Sequence, residues 1–105
     1  MAESRPAIYD LVPKLGQLRD EVLFGTVWED PDLSKRDRSL ITVAVLTALY
    51  RSGELPGHMR RALNNGVTKE EIGALITHVA FYAGWPTAAN AVRVAKEVFD
   101  ETASS

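Results

Sequence analysis

Two residues four positions apart, Glu54 and His58, carry the most specific chemical signal in this sequence. Helical spacing of i and i+4 places both side chains on one face, provided that the helix includes Glu54. A carboxylate beside an imidazole fixes its tautomer and raises its basicity, which suits a general acid or base. A glutamate near a helix N-terminus is also a routine favourable contact with the helix dipole, so the spacing alone leaves both interpretations open.

A second histidine, His78, lies in the middle of a segment whose apolar residues recur at helical spacing. A lone histidine beside an apolar face is more often a hydrogen-bonded core residue than a ligand. Tyr82 and Trp85 close the same segment, and for Trp85 we expect core or interface packing. Two histidines and one glutamate could bind a metal, but their spacing matches no motif such as HExxH, so no metal site is predicted.

Arginines surround the same region of the sequence: Arg51, Arg60 and Arg61 flank His58, and Arg38 lies early in the preceding helical segment. A guanidinium forms paired hydrogen bonds with a carboxylate, so these arginines are candidates for binding a carboxylated small molecule. The alternative for most of them is a solvated helix face.

The composition excludes several classes of function. The net charge of −2 provides no general attraction for nucleic acid or an anionic membrane. The absence of cysteine excludes disulfides, thiolate metal sites and CxxC redox chemistry. Residues 1–6 lack the apolar stretch of a signal peptide, and the longest apolar run, residues 40–50, is shorter than the about 20 residues of a membrane span. We expect one domain over residues 1–105, located in the cytoplasm.

The pattern of apolar and capping residues predicts an all-α fold, with no alternating strand segment. Capping boxes are predicted at Ser34 with Asp37 and at Thr68 with Glu71, and the fifth helix is expected to bury residues 88, 89, 92, 95 and 98. The first predicted helix covers residues 8–28 and is weakened by Pro13, Gly16 and Gly25. The second begins at Ser34 and stops near Gly53, and the third runs from Leu55-Pro56 to a C-cap at Asn65-Gly66. The fourth runs from Thr68 to Gly84, and the fifth from Pro86 to about Phe99.

The second helix predicts self-association, because after its first turn it is apolar on nearly every face. Such a helix must be covered on every side, and four short neighbours in a chain of 105 residues would not cover it. We therefore expect a homo-oligomer in which this helix lies partly in the interface.

A DNA-binding helix-turn-helix is a competing interpretation of the third and fourth helices. Ala62, Gly66 and Ile72 fall at its small, turn and packed positions. The recognition helix would then present Glu70 and Glu71 to the phosphates with one lysine to oppose them, so no nucleic-acid partner is predicted.

Five segments, in order, resemble the γ-carboxymuconolactone decarboxylases, over about residues 18 to 99. Glu54-Leu-Pro-Gly-His58 is similar to their E-L-x-x-H motif, and residues 82–90 are similar to their Y-x-G-x-P-x-A-x-N stretch. The remaining similar segments are residues 24–30, 38–51 and 62–72. The Pro56-Gly57 pair and His78 depart from the family pattern.

The resemblance implies an all-α, five- to six-helix bundle like that of alkylhydroperoxidase D, assembled as a trimer or hexamer. It implies either a cysteine-dependent peroxidase or a cofactor-free decarboxylase that acts on 4-carboxymuconolactone or a related small carboxylated lactone in aromatic catabolism. The missing cysteines favour the decarboxylase. A non-catalytic, oligomeric binding protein is a third possibility.

The resemblance also suggests roles for individual residues. His58 would be the proton donor or oxyanion partner, with Glu54 orienting it. Arg38 or Arg51 would bind a substrate carboxylate, and His78 and Tyr82 would line the pocket.

Overall fold

The computed structural model describes residues 5–104, and every regular element among them is helical. The all-α prediction is therefore confirmed. The chain divides into two compact units, with the boundary after Ser34.

The first unit contains short helical pieces within the segment predicted as helical over residues 8–28, where Pro13, Gly16 and Gly25 weakened the prediction of one unbroken helix. A 3₁₀ turn spans Ala7–Asp10, helix α1 spans Pro13–Leu18, and a π-helical segment spans Arg19–Val27. Val12 is non-helical (φ −128°, ψ 76°), because a residue that precedes proline is disfavoured in the α region. The Trp28 amide donates to the Leu23 carbonyl at 2.9 Å, an i to i−5 bond of the π type.

The second unit contains four helices within residues 35–104. They are α2 (Lys35–Ala48), α3 (Leu55–Asn64), α4 (Lys69–Ala83) and α5 (Trp85–Ser104). Helices α3 and α4 each pack against both α2 and α5. The core between them contains Val43, Leu55, Met59, Ile72, Ile76 and Val98.

Helix α2 ends earlier than the prediction near Gly53, because its C-cap does not use glycine. Tyr50 adopts a left-handed conformation with φ 61°. The Tyr50 amide donates to the Thr47 carbonyl and the Arg51 amide donates to the Leu46 carbonyl. These two bonds form a Schellman motif, which stops the helix at Ala48.

The junction between α3 and α4 has the predicted chemistry. Asn65 is the C-cap of α3, and Gly66 follows with φ 96°. The Thr68 hydroxyl accepts from the Glu71 amide, and the Glu71 carboxylate accepts from the Thr68 amide. The Asn65-Gly66 cap and this capping box are confirmed. Helix α2 begins directly after Ser34, as predicted, and the Ser34–Asp37 capping box stays a prediction.

Burial corrects part of the predicted helix faces. In α4, Ile72, Ile76 and Val79 are buried. In α5, Val92 is 55% exposed, while Ala91 and Val94 are buried in its place. Trp85 is 68% exposed, so of the two expected environments core packing is wrong and interface packing stays a prediction. Within residues 5–104, no helix has the length and apolarity needed to cross a membrane.

Candidate active site at the start of helix α3

Glu54 and His58 lie together on the first turn of α3. Glu54 is the N-cap residue with helical torsions (φ −90°, ψ −22°), and its carbonyl accepts from the His58 amide at 3.3 Å. The predicted i, i+4 relation therefore holds. His58 is half-buried, with its Nδ1 atom shielded from solvent, whereas Glu54 is exposed.

The Glu54 side chain does not cap its helix. Within residues 5–104, its carboxylate makes no hydrogen bond and no ion pair. Because Glu54 lies at the N-terminus of α3, its contact with the helix dipole remains an alternative to a catalytic role. Glu54 is an exposed carboxylate one helical turn before a half-buried imidazole, and can meet a ligand that arrives from solvent.

Local sequence explains why α3 begins here. Pro56 stands in the first turn, where a missing amide donor has no cost. Leu55 and Met59 are completely buried and attach the same turn to the core. His58 is flanked by these anchors, so its backbone position is fixed by packing.

Arg51 lies in the α2–α3 loop, which we define as residues 49–54, and is exposed. Its guanidinium forms no ion pair within residues 5–104. Arg36 and Arg60, by contrast, are paired with Glu71 and Glu101. Arg51 is therefore a cation available to an anionic ligand near the start of α3.

The α2–α3 loop is tied to α5 by a hydrogen bond that sequence reasoning did not identify. Asn90 Nδ2 donates to Ser52 Oγ at 2.9 Å. Further along, Arg60 donates two hydrogen bonds of 2.8 Å to the Glu101 carboxylate. The first pair joins α5 to the loop before α3, and the second joins α5 to α3 itself.

The remaining predicted site residues lie elsewhere in the second unit. Arg38 is half-buried in the first turn of α2, and its carbonyl accepts from the Thr42 hydroxyl at 2.8 Å. His78 and Tyr82 are exposed on α4, with ring centroids 4.7 Å apart. His78 is on the face opposite the buried Ile72 and Ile76, so the core-histidine alternative was wrong.

Arg51, Glu54 and His58 thus lie within residues 51–58, in the α2–α3 loop and the first turn of α3, whereas His78 and Tyr82 lie one turn apart on α4. Helices α3 and α4 both pack against α2 and α5. Among the residues that the structure describes, no group of three or more histidine, aspartate and glutamate side chains could hold a metal ion.

One buried hydroxyl close to the loop is unusual. Thr47, in the last turn of α2, is fully buried, and its Oγ1 has no hydrogen-bond partner among the described residues. Threonine in a helix commonly donates to the carbonyl four residues earlier, as Thr42 and Thr77 do. The last turn of α2 therefore contains a polar group whose hydrogen-bonding capacity is unused.

Ser52, Tyr50 and Thr47 are the residues that sequence reasoning missed. A left-handed tyrosine has no sequence signal, because Gly53 three positions later is the expected cap. Asn90 was noticed only as the last residue of a motif. Its partner could be found only from the packing of α5 beside the loop.

Comparison with known proteins gives the evolutionary context of this site. The chain is 49% identical over 78 residues to 4-carboxymuconolactone decarboxylase of Acinetobacter baylyi, which covers 74% of the chain and 58% of that protein. It is 36% identical over 85 residues to nitrosuccinic acid decarboxylase of Metarhizium robertsii, covering 81% of the chain and 59% of that protein. The chain thus spans less than two thirds of the length of these two decarboxylases.

A third relative, an uncharacterized 15.0 kDa protein of Paracoccus denitrificans, is 30% identical over 97 residues, which is 90% of the chain and 72% of that protein. The model of the carboxymuconolactone decarboxylase family matches residues 13–97, which include Arg51, Glu54 and His58. This match covers most of the chain, and the chain belongs to the carboxymuconolactone decarboxylase family.

Proposed function

We propose that this chain is a cofactor-free decarboxylase that acts on 4-carboxymuconolactone or a related small carboxylated lactone. The observation that carries the proposal is the half-buried His58, with the exposed Glu54 one turn before it and Arg51 in the preceding loop. The Arg51 guanidinium forms no ion pair within residues 5–104. The two relatives named as decarboxylases support the reaction type.

The proposed reaction needs no cofactor, because the substrate itself accepts the electrons. When the bond between the carboxylate and the ring breaks, CO2 leaves and its electron pair stays on the ring carbon. The unsaturated lactone delocalises that pair onto its carbonyl oxygen. A proton then adds to carbon and gives the enol-lactone. The protein must bind the anionic substrate, stabilise the oxyanion and deliver the proton.

Each task has a candidate residue. Arg51 binds a substrate carboxylate through its guanidinium fork. His58 donates to the developing oxyanion or returns the proton to carbon, and Glu54 orients the imidazole when substrate is bound. Arg38, His78 and Tyr82 are proposed as further substrate contacts. They rank below Arg51 because they lie on α2 and α4, not in the segment that contains Glu54 and His58.

Direct assay tests the proposal. Purified protein dialysed against a chelator should consume 4-carboxymuconolactone and release CO2. His58→Ala should lower kcat by about 10²-fold or more, the usual contribution of a positioned acid or base, and Glu54→Gln by a smaller factor. Circular dichroism and thermal unfolding provide the control for folding. Unchanged turnover in His58→Ala would remove this histidine from the mechanism.

A peroxidase assay separates this proposal from the other activity implied by the resemblance. The chain has no cysteine to form the thiolate that such chemistry requires. We therefore expect no reduction of peroxide with a thiol donor. Binding of the lactone without turnover would instead indicate a binding protein.

We also propose that the chain assembles as a homo-oligomer, a trimer or a hexamer, in the cytoplasm and serves aromatic catabolism. Exposed apolar side chains support self-association. Ile41 and Val45 on α2 and Leu49 directly after it are exposed at i, i+4 and i+8, and α4 and α5 expose Phe81, Tyr82 and Trp85. Exposed apolar surface of this extent is typical of protein interfaces.

Two charge substitutions distinguish the candidate interface surfaces. Light scattering should give a mass of three or six times 11.5 kDa for the unaltered chain. Val45→Glu should dissociate the oligomer if α2 lies in the interface. Phe81→Glu should dissociate it if the exposed side chains of Phe81, Tyr82 and Trp85 lie there. A monomer of the unaltered chain would refute assembly.

A further inference from the structure

We propose that Asn90 and Ser52 are positioning residues that hold the α2–α3 loop for ligand binding. The inference rests on the proposed function of Arg51, Glu54 and His58, and adds two residues that the proposed reaction does not itself use. Neither side chain supplies an acid, a base or a charge. Their effect comes from the 2.9 Å hydrogen bond between them.

Among the described residues, the other hydrogen bonds of the loop lie at its two ends. Its first part is fixed by the Schellman bonds, in which the Tyr50 and Arg51 amides donate to Thr47 and Leu46. Its last part joins α3, where the Leu55 amide donates to the Arg51 carbonyl at 3.1 Å. Ser52 lies between these two attachments, and Asn90 holds it from a different helix.

Asn90 lies on α5, so its hydrogen bond with Ser52 links the loop to a helix that packs in the core. Its neighbour Ala91 is fully buried, so the backbone of α5 is rigidly packed at this level. A hydrogen bond from such a helix restrains Ser52 relative to the core. Ser52 is adjacent to Arg51 and two residues before Glu54, so the restraint passes to both candidate ligand-binding side chains.

The left-handed Tyr50 makes the restraint more important. A non-glycine residue at φ 61° is in a sparsely populated conformation that persists where the surroundings hold it. Loss of the Ser52–Asn90 bond would let the loop relax away from this conformation. Arg51 directly follows Tyr50, so the backbone that carries its side chain would be less restrained.

The test compares Ser52→Ala and Asn90→Ala with the unaltered chain. We expect each variant to raise KM for 4-carboxymuconolactone by about tenfold, the most that one such hydrogen bond supports, with kcat changed about twofold or less. Ser52→Thr keeps the hydroxyl and should restore KM. The double variant should be no worse than either single variant, because both remove the same bond.

Glu101→Gln is the matched control, because it weakens another contact between α3 and α5 without touching the loop. It should leave KM unchanged. An equal rise of KM in Glu101→Gln, or additive effects in the double variant, would overturn the positioning role.

Amide hydrogen exchange separates this proposal from the proposed function. The Arg51 and Leu55 amides, which are hydrogen-bonded in the unaltered chain, should exchange about tenfold faster in Ser52→Ala and Asn90→Ala, but not in Glu101→Gln. If the unaltered chain fails to turn over the lactone, the proposed reaction fails, and the exchange result alone decides the positioning role. Unchanged exchange at both amides would refute it.

Discussion

The two junctions that flank helix α3 are built in opposite ways. The α3–α4 junction places glycine at the left-handed position and closes with a reciprocal capping box. The α2–α3 loop places a tyrosine at its left-handed position and follows a buried hydroxyl that has no partner among the described residues. The first junction satisfies its local requirements, whereas the second keeps strain next to the candidate active site. Strain of this kind persists where function requires a particular geometry.

The largest expected effect concerns the buried hydroxyl. Thr47→Val removes an unpaired polar group from the core at nearly constant volume, and should stabilise the chain by about 1–3 kcal/mol. Val43→Thr, one turn earlier on the same buried face, should destabilise it by a similar amount. Chemical denaturation measures both. If Thr47→Val destabilises the chain, the hydroxyl has a partner in solution and the contrast between the junctions weakens.

The two left-handed residues provide the next comparison. Gly66→Ala should cost about 1–2 kcal/mol, because a Cβ atom at φ 96° is strained even in open space. Tyr50→Gly should change stability by less than about 1 kcal/mol, because relief of strain offsets the added flexibility of glycine in the unfolded chain. Denaturation curves provide the measurement. We expect turnover to fall in Tyr50→Gly and to persist in Gly66→Ala.

Interactions between residues close together in the chain were predicted from the sequence, and an interaction between distant residues was not. The capping box at Thr68 and the cap at Gly66 depend on residues within one turn, so sequence predicted both. The i, i+4 relation of Glu54 and His58 is equally local. The Ser52–Asn90 bond joins residues 38 positions apart, and only the packing of α5 brings them together.

The misassigned side chains have a related cause. Helical spacing groups residues on a face but does not say which neighbour covers it. Val92 was predicted to face the core, but α3 and α4 approach α5 on the side of Ala91 and Val94. His78 was placed beside the apolar face of α4, but is exposed. The sequence therefore predicted which helices form more reliably than how each is rotated.

The capping box itself predicts a smaller effect. Thr68→Ala removes the acceptor for the Glu71 amide and should cost about 1 kcal/mol. Thr68→Ser keeps the acceptor and is the control. Because this junction is separate from the candidate site, kcat and KM should not change. A loss of activity equal to that of Glu54→Gln would show that the two junctions are coupled.

The smallest effect is a pH dependence that distinguishes two carboxylates. Hydrogen bonding from the Thr68 amide, followed by the Arg36 side chain, lowers the pKa of Glu71. Hydrogen bonding from the Arg60 side chain lowers the pKa of Glu101. A carboxyl whose pKa is lower in the folded chain adds stability above its unfolded pKa of about 4.3. That stability is lost as the pH falls through the folded pKa.

Glu71→Gln and Glu101→Gln should therefore each reduce the loss of stability on acidification below about pH 4.3, as followed by denaturation at several pH values. Salt should separate the two. The pKa of Glu101 is lowered mainly by an exposed arginine, and this stabilisation should weaken in 1 M NaCl, where the Debye length is about 3 Å. The pKa of Glu71 is lowered mainly by a backbone amide, which has no net charge for salt to screen. Equal salt sensitivity would mean that Arg36, and not the capping box, dominates at the α3–α4 junction.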